Sequence, residues 1–391
     1  MYDFDKPIDR RGTNCVKWDE FADPDILPLW VADMDFETAP CVREALQRRT
    51  MHGCFGYTLV PESYYQATID WFSRRHGWAP KRSDFIYTSG VVPAVSAIIK
   101  AMTSAGDKVL VQSPVYNCFY SSIRNNGCEC VENALVQGDT VSVDWEEFER
   151  QCSDPAVKVF LLCNPHNPVG RVWTCDELRH MGEICLRNNV FVISDEIHCE
   201  FVYSDKVKYT PFASISEEFA LNCAVCISPS KAFNIAGLQI ANIIAADADV
   251  RQRIDKAINI NEVCDVGTFG VVALQAAYSR EGEEWLEALC RYIHGNYMMA
   301  KQMIDDSGLG LYVAPLEGTY LMWVDVRALG ISSAQLCDEL VSEQKLYLNA
   351  GTMYGEKTGE GYVRINLATR RALVEEGINR FLRFCSERLG K

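Results

Sequence analysis

The sequence predicts an α/β fold, in which a large domain contains a mainly parallel sheet and a smaller domain is of the α+β type. Short apolar segments alternate with amphipathic segments between residues 60 and 250, a pattern typical of strands separated by helices in a parallel sheet. The final third of the chain differs, because a long helical periodicity there precedes two isolated strands. The chain has 391 residues, of which 48% are hydrophobic, and this is ample for a sizeable core in more than one domain.

The elements of the large domain can be placed in order along the chain. Residues 63–78 carry aromatic side chains at helical spacing, and residues 91–106 form an apolar helical segment that ends at a glycine. Thr174 and Glu177 have the spacing of a capping box, which predicts a helix from there to about residue 188. Short apolar runs predict strands at 85–89, 108–113, 158–164, 190–195 and 223–228.

The two ends of the chain have patterns of their own. Prolines at positions 28 and 40 and the lack of a helical period predict an extended N-terminal arm. The final third is predicted to contain one long helix at 270–305, strands at 320–326 and 360–368, and a helix that ends near 388. We therefore expect an arm (1–45) packed on the small domain, a large domain (46–285) and a small C-terminal domain (286–391).

The charge of the chain limits its partners. The sequence has 38 lysines and arginines against 53 aspartates and glutamates, which gives a net charge of −15. An acidic surface repels phosphate backbones and anionic headgroups, so we expect neither nucleic acid nor a membrane as partner. The sequence has no apolar run of about 18 residues, the length that a membrane span needs, and its first residues do not resemble a signal peptide. The expected location is the cytoplasm.

The 17 cysteines are expected to be reduced thiols in that compartment. Two pairs have short spacings, Cys128 with Cys130 and Cys223 with Cys226. Neither pair is followed by a second pair of ligands at the spacing of a zinc site, so no metal is predicted. Cys223 and Cys226 also lie in an apolar run that reads as a buried strand.

Polar, glycine or proline residues follow each of five predicted strands in the large domain. Ligands of open α/β sheets bind beyond the carboxyl ends of the strands. One such segment alone is explained by an ordinary loop, but five in succession indicate a binding site. The segments are Ser89–Val92, Ser113–Tyr116, Asn164–Gly170, Asp195–His198 and Ser228–Lys231.

Residues in these segments offer specific chemistry. The turn at Gly90 precedes a helix, and free N–H groups at a helix start bind anions, although an ordinary strand–helix turn has the same sequence. Lys231 follows a buried strand, and a desolvated lysine is a nucleophile that forms Schiff bases; a solvated surface lysine is the alternative. Asp195 either caps the next segment or faces a ligand. Asn167 lies between two prolines, in a rigid loop or a simple turn.

Three of these segments together resemble a known signature. SPSKAFNIAGL around Lys231, NPHNPVG around Asn167 and SDEIH around Asp195 resemble the pyridoxal-phosphate signature of the class I/II aminotransferase superfamily. The spacings of 28 residues from Asn167 to Asp195 and 36 from Asp195 to Lys231 also fit. The segments IDRRGTNCVKWDE, LPLWVADMDF, GYTLVPESYY and NPHNPVGRVWT resemble the cystathionine β-lyase, or MalY/PatB-like C–S lyase, branch of that superfamily.

The resemblance implies a doubly wound fold of the pyridoxal-phosphate fold type I and assigns roles to residues. Lys231 holds the cofactor covalently and later moves protons, and Asp195 pairs with the pyridine nitrogen. Asn167 hydrogen-bonds the O3′ atom of the cofactor, and Tyr116 stacks on its ring. The other implied cofactor contacts are Gly90, Val91, Val92, Ser228 and Ser230, near the phosphate, and His198 and Tyr57.

Two positions depart from the commonest pattern of the superfamily. His198 stands where a tyrosine usually reaches O3′, and a neutral imidazole either donates to O3′ or only packs there. Gln239 stands eight positions after Lys231, where many relatives have an arginine that grips the phosphate. One charge-assisted contact is therefore missing, so either the helix dipole matters more or the affinity for the cofactor is lower.

The substrate is implied to be a small amino acid bound between two subunits. Arg364 clamps its α-carboxylate through a bidentate fork, and Asn167 and Ala32 complete this subsite. Tyr57 resembles the catalytic tyrosine that reaches into the neighbouring subunit's site. The resemblance therefore implies a homodimer with shared active sites.

The implied activity is that of a C–S β-lyase. Such an enzyme cleaves cystathionine or S-substituted cysteines by α,β-elimination to a thiol, pyruvate and ammonia. An aminotransferase is an alternative, because both reactions use every residue named above. A pyridoxal-phosphate-bearing regulatory protein that acts through a protein partner is the other alternative.

Overall fold

The computed structural model describes residues 2–138, 140–203, 207–262 and 265–391. The strands within these residues are β1 (Leu27–Pro28), β2 (Phe85–Thr88), β3 (Lys108–Ser113), β4 (Glu129–Ala134), β5 (Val157–Cys163), β6 (Phe191–Asp195), β7 (Cys223–Ile227), β8 (Ala241–Ile244), β9 (Tyr312–Val313), β10 (Leu321–Asp325), β11 (Leu346–Tyr347), β12 (Asn349–Ala350) and β13 (Tyr362–Asn366). The α-helices are α1 (Val16–Asp19), α2 (Pro40–His52), α3 (Glu62–His76), α4 (Val91–Met102), α5 (Asn117–Asn125), α6 (Trp145–Cys152), α7 (Cys175–Arg187), α8 (Glu217–Leu221), α9 (Ala248–Asn259), α10 (Thr268–Ala277), α11 (Arg280–Asp306), α12 (Ser333–Gln344) and α13 (Arg371–Leu389).

A seven-stranded sheet forms the centre of the fold, with the order β2-β8-β7-β6-β5-β3-β4. The neighbours from β7 to β4 are parallel, whereas β8 is antiparallel to both β2 and β7. Phe160 and Leu162 of β5 pack in one apolar cluster, and Val159 and Leu161 pack in another. Because alternate side chains point to opposite faces, both faces of the sheet are covered. The predicted α/β fold with a mainly parallel sheet is confirmed.

A smaller antiparallel sheet has the order β12-β13-β10-β9. Strand β1, near the N-terminus, pairs in parallel with β11. In the sequence, β11 directly precedes β12 of this small sheet. The backbone of Asn366, at the end of β13, also donates to the Leu29 carbonyl at 2.9 Å. The N-terminal segment thus lies along the C-terminal third of the chain. The domain limits stay a prediction, and helices α2 and α11 run through residues 45 and 285.

The prediction of one long helix at 270–305 is wrong. Two helices, α10 and α11, occupy this region and are separated by Tyr278 and Ser279. The backbone of Ser279 is extended, with φ −85° and ψ 171°, and its hydroxyl accepts a hydrogen bond from the Gly282 N–H. A serine in this position caps a new helix, which explains the break.

Two local predictions, a capping box and a buried cysteine-containing strand, are confirmed in the described residues. Thr174 and Glu177 form the predicted capping box at the start of α7. Cys223 and Cys226 are buried in β7, and every cysteine that the structure describes is a free thiol. No helix in the described ranges combines the length and apolar character that a bilayer crossing requires.

Candidate active site

A cavity of about 360 Å³ opens at the carboxyl edge of the large sheet. Strands β3, β5, β6 and β7 are neighbours and parallel, so the segments that follow them meet at this edge. The structure thereby brings together residues far apart in sequence. The cavity is lined by Ala32, Ser89, Gly90, Val91, Val92, Pro93, Tyr116, Cys163, Asn167, Asp195, Ile197, His198, Ser230, Lys231, Ala236, Gln239 and Ile240.

Lys231 places its amine inside this cavity. Its Nζ donates a hydrogen bond to the backbone carbonyl of Ala32. Removal from water and the positive charge of Arg364 lower the pKa of the Lys231 amine to about 8, although Asp33 and Asp195 act in the opposite direction. A substantial fraction of the amine is therefore neutral near pH 8, and the neutral amine is the nucleophilic form.

Asp195 ends β6 and is buried at the floor of the same cavity. Its Oδ1 accepts a hydrogen bond from the Ile197 N–H at 3.1 Å. Burial raises the pKa of the Asp195 carboxyl to about 7, because this bond and the charge of Lys231 only partly offset the desolvation. A buried carboxylate whose desolvation is only partly offset is stabilised by any cation that enters the cavity.

Helix α4 begins at the cavity wall with Val91 and Val92. Its N-cap residue is Gly90, and no side chain caps the first turn. The first N–H groups of a helix have no partner within the helix, and its N-terminus carries a partial positive charge. The helix start therefore offers free N–H donors at the wall of the cavity that Lys231 also lines, which is the kind of place where anions bind.

His198 is a buried imidazole that faces the cavity. Burial, followed by the charges of Lys231 and Arg364, lowers the pKa of His198 well below its ordinary value, so the ring is neutral. Its Nδ1 has no hydrogen-bond partner among the described residues. Buried polar atoms are nearly always paired, so this nitrogen indicates a missing polar partner.

Arg364 lies in the middle of β13 of the small sheet and does not itself line the cavity, but it contacts Asn167, which does. Its Nη1 donates to Asn167 Oδ1 at 3.2 Å, and its Nη2 donates to the Trp30 carbonyl at 2.7 Å. The guanidinium lies 4.6 Å from the ring centroid of Tyr354, and its buried Nε has no partner in the described part of the chain. A buried guanidinium that still has an unused N–H donor is suited to bind a carboxylate.

Comparison with known proteins places this site in a family. Residues 24–381 match the family model for aminotransferase class I and II. The chain belongs to the aminotransferase class I and II family. It is 40% identical over 382 residues to cystathionine beta-lyase PatB of Bacillus subtilis (strain 168), which covers 96% of this chain and 98% of that protein.

Two solved structures are similar to this chain over nearly its whole length. The PLP-bound putative aminotransferase from Clostridium difficile 630 has a TM-score of 0.94 and 42% identity, over 98% of this chain and 99% of that chain. Cystalysin from Treponema denticola, which contains a pyridoxal 5′-phosphate cofactor, has a TM-score of 0.95 and 31% identity, over 99% of both chains. The fold type I architecture implied by the sequence is therefore confirmed.

Two expected site residues, Tyr57 and Ser228, do not line the cavity, whereas Gln239, which stands where many relatives have an arginine, does. Tyr57 is 97% exposed and does not line the cavity of its own chain. The Ser228 hydroxyl is engaged internally, because it donates to the Ile240 carbonyl and accepts from the Ser230 N–H. Gln239 lines the cavity, but its amide donates to the Ala236 carbonyl at 3.0 Å.

Sequence reasoning missed Tyr320. This residue is completely buried, and its hydroxyl donates to the Ala32 carbonyl at 2.9 Å. The same oxygen accepts the hydrogen bond from Lys231. Tyr320 precedes a strand of the small sheet, so a search for residues that follow the strands of the large sheet does not find it.

Proposed function

We propose that this chain is a pyridoxal-phosphate-dependent C–S β-lyase that cleaves cystathionine or S-substituted cysteines to a thiol, pyruvate and ammonia. The observation that carries the proposal is the meeting, in one cavity, of a lysine with a lowered pKa, a buried carboxyl with a raised pKa and an uncapped helix start. The 40% identity to a cystathionine β-lyase over nearly the whole chain supports this assignment.

The residues of the cavity fit the cofactor. When bound, pyridoxal phosphate supplies an electron sink that stabilises negative charge on the substrate Cα. Lys231 would hold it covalently, and the buried carboxyl of Asp195 would pair with the pyridine nitrogen. Asn167 and the unpartnered ring of His198 would contact the ring hydroxyl. The uncapped start of α4 would receive the phosphate, with no arginine at position 239 to assist.

In the proposed reaction, different residues bind the substrate and transfer the protons. Arg364 and Asn167 bind the substrate carboxylate and orient Cα toward Lys231. The neutral Lys231 amine removes the Cα proton, and the resulting ammonium can return a proton to the departing sulfur. A thiolate is a good leaving group, so this help suffices and no separate strong acid is required.

The proposed assembly is a homodimer with shared active sites in the cytoplasm. Tyr57 belongs to an exposed apolar stretch in which Met51 and Leu59 are 85% and 89% exposed and Phe55 is 52% exposed. Exposed apolar surface of this kind is typical of an interface. A second copy related by a two-fold axis would cover it and bring Tyr57 to the neighbouring cavity.

A panel of substrates tests the proposed reaction. Purified protein loaded with pyridoxal phosphate is given L-cystathionine or S-methyl-L-cysteine, with no 2-oxo acid present, and thiol and pyruvate are measured in parallel. We expect equal amounts of both products. L-Alanine, which has no leaving group on Cβ, is the control and should give no catalytic pyruvate, because its amino group can be transferred only once per site when no 2-oxo acid regenerates the cofactor. Amino-group transfer that depends on a 2-oxo acid, without thiol release, would show an aminotransferase instead.

Replacing Arg364 with lysine is expected to raise KM by about 10- to 100-fold, the effect of losing one charge-assisted hydrogen bond. The fork binds the carboxylate in the ground state and the transition state alike, so kcat should change little. Steady-state kinetics with S-methyl-L-cysteine measures both values. The matched control is Arg187→Lys, whose guanidinium pairs with Glu149 at the surface. An unchanged KM in Arg364→Lys would remove Arg364 from the substrate site.

A further inference from the structure

Tyr320 and Lys231 both donate a hydrogen bond to one backbone oxygen, the carbonyl of Ala32. Tyr320 is fully buried, and its ring packs edge-on against His198 and Phe201, with centroid distances of 5.5 and 4.9 Å. Two aromatic neighbours leave the phenol little freedom to turn away. The hydroxyl therefore has a fixed position on the same acceptor as the amine.

The Ala32 carbonyl is itself held in place. Asn366 Nδ2 donates to the carbonyls on either side of it, those of Val31 at 2.6 Å and Asp33 at 2.7 Å. We call residues 30–34 the carbonyl strap, because each of their carbonyls accepts a hydrogen bond from a side chain. The remaining donors are Arg364 and Asn349 to Trp30, and Arg10 and Asn234 to Met34.

The backbone before Tyr320 is strained. Thr319 has φ 68°, which is rare for a β-branched residue. Its N–H donates to the Phe201 carbonyl at 3.1 Å. A Cβ on the preceding Gly318 would lie 2.7 Å from Val172 Cγ2, so only glycine fits there. Strained residues persist where the surrounding structure fixes them, and they concentrate at functional sites. Here the strained residue directs Tyr320 toward the strap.

We propose that Tyr320 is a positioning residue that places the free Lys231 amine through the Ala32 carbonyl. The proposal rests on the proposed function, in which this amine must be free and neutral when it moves a proton. A carbonyl oxygen has two lone pairs, and the Tyr320 hydroxyl occupies one of them. An oxygen that already accepts one donor is a weaker acceptor for a second. Tyr320 thus fixes where the amine rests and limits how strongly the oxygen holds its ammonium form.

The other groups that face Lys231 are known from the structure. Arg364 of β13 lowers the pKa of the amine, whereas Asp33 of the strap, Asp195 of β6 and Cys118 of α5 raise it. The uncharged groups around the site are Tyr116, His198 and Tyr320. Replacing Tyr320 with phenylalanine removes one hydroxyl and leaves all these groups in the chain, so a change in the amine reports on that hydroxyl.

The first test uses Tyr320→Phe protein freed of cofactor. Trace acetic anhydride labels neutral amines, and mass spectrometry of the peptide that carries Lys231 gives its labelling rate at each pH. We expect the midpoint to move to higher pH, with labelling at pH 7.5 slower by about tenfold, the effect of one ordinary hydrogen bond. Tyr64→Phe is the matched control, because it removes another buried hydroxyl, which donates to Asn242 at 3.0 Å. Its profile should match the wild type.

The second test measures exchange of the Cα proton of L-alanine for deuterium in loaded protein, by NMR. We expect kcat for exchange to fall about tenfold in Tyr320→Phe with an unchanged KM. L-Alanine has no leaving group, so this result stands even if the protein is not a C–S lyase.

If Tyr320→Phe does not fold, 3-fluorotyrosine at this position, a stronger donor, should move the labelling midpoint to lower pH. The proposal is overturned if the pH midpoint of Lys231 labelling equals the wild-type value in Tyr320→Phe or, where that variant does not fold, in the 3-fluorotyrosine protein.

Discussion

Lys231→Ala is expected to lower the rate of pyruvate formation by at least about 10⁴-fold, the upper range for loss of a general acid–base group. This side chain supplies both the covalent link to the cofactor and the amine that takes the Cα proton. No other lysine lines the cavity in the described residues, so no neighbour can replace it. The rate is measured with S-methyl-L-cysteine at saturating pyridoxal phosphate.

The Lys231 variant also has a signature that does not depend on turnover. Wild-type protein should absorb visible light when loaded, and borohydride should fix the cofactor irreversibly on the peptide that contains Lys231. The alanine variant should lose this covalent trapping. Lys256→Ala, which removes an exposed amine from α9, serves as the control and should be trapped normally. Trapping that persists in Lys231→Ala would show that another lysine holds the cofactor.

Asp195→Asn is expected to lower kcat by about 10²- to 10³-fold, the usual effect of removing one group that stabilises developing charge. The asparagine retains the shape of the side chain and an oxygen for the Ile197 N–H. It cannot carry the negative charge that keeps a ring nitrogen protonated, so the cofactor becomes a weaker electron sink. Steady-state kinetics and the visible spectrum of the loaded variant measure the two effects.

The neighbouring carboxyl provides a matched control for Asp195. Glu196 is also buried, and burial raises its pKa to about 7 as well. Its oxygens accept hydrogen bonds from Ser194, Tyr209 and the Phe212 N–H, and it does not line the cavity. Glu196→Gln should therefore lower thermal stability and leave the cofactor spectrum unchanged. If both variants give the same spectrum and rate, Asp195 has no special role toward the ring.

The strands of the large sheet that were easiest to predict are those that the sheet buries on both faces. Strands β5, β6 and β7 are buried on both faces and form continuous apolar runs, which predict a strand directly. Strand β4 was missed because it lies at the sheet edge, where Glu129 and Glu132 are exposed and the apolar signal is weak. Strand β8 has only four residues and is antiparallel, so the alternation of strand and helix does not predict it.

The residue pattern alone located only those site residues that lie at or just after the end of a parallel strand. Asp195 ends such a strand, and Lys231 and Asn167 each lie a few residues after one, so the rule for open sheets found them without a structure. Arg364 was indicated by resemblance alone, because it lies in mid-strand on a different sheet. Nothing local marks Tyr320, whose importance depends on a backbone oxygen 288 residues away in the sequence.

The carbonyl strap carries contacts of both the guanidinium proposed to bind substrate and the amine proposed to move protons. One of its oxygens, on Trp30, holds the guanidinium of Arg364, and another, two residues along, holds the amine of Lys231. Because the backbone bends at Val31 and Ala32, these two residues span less than the roughly 7 Å of an extended chain. The contacts of Arg364 and of the Lys231 amine are therefore close together on one short segment of backbone. The position of the carboxylate-binding guanidinium and the resting position of the amine thus depend on the same few backbone atoms.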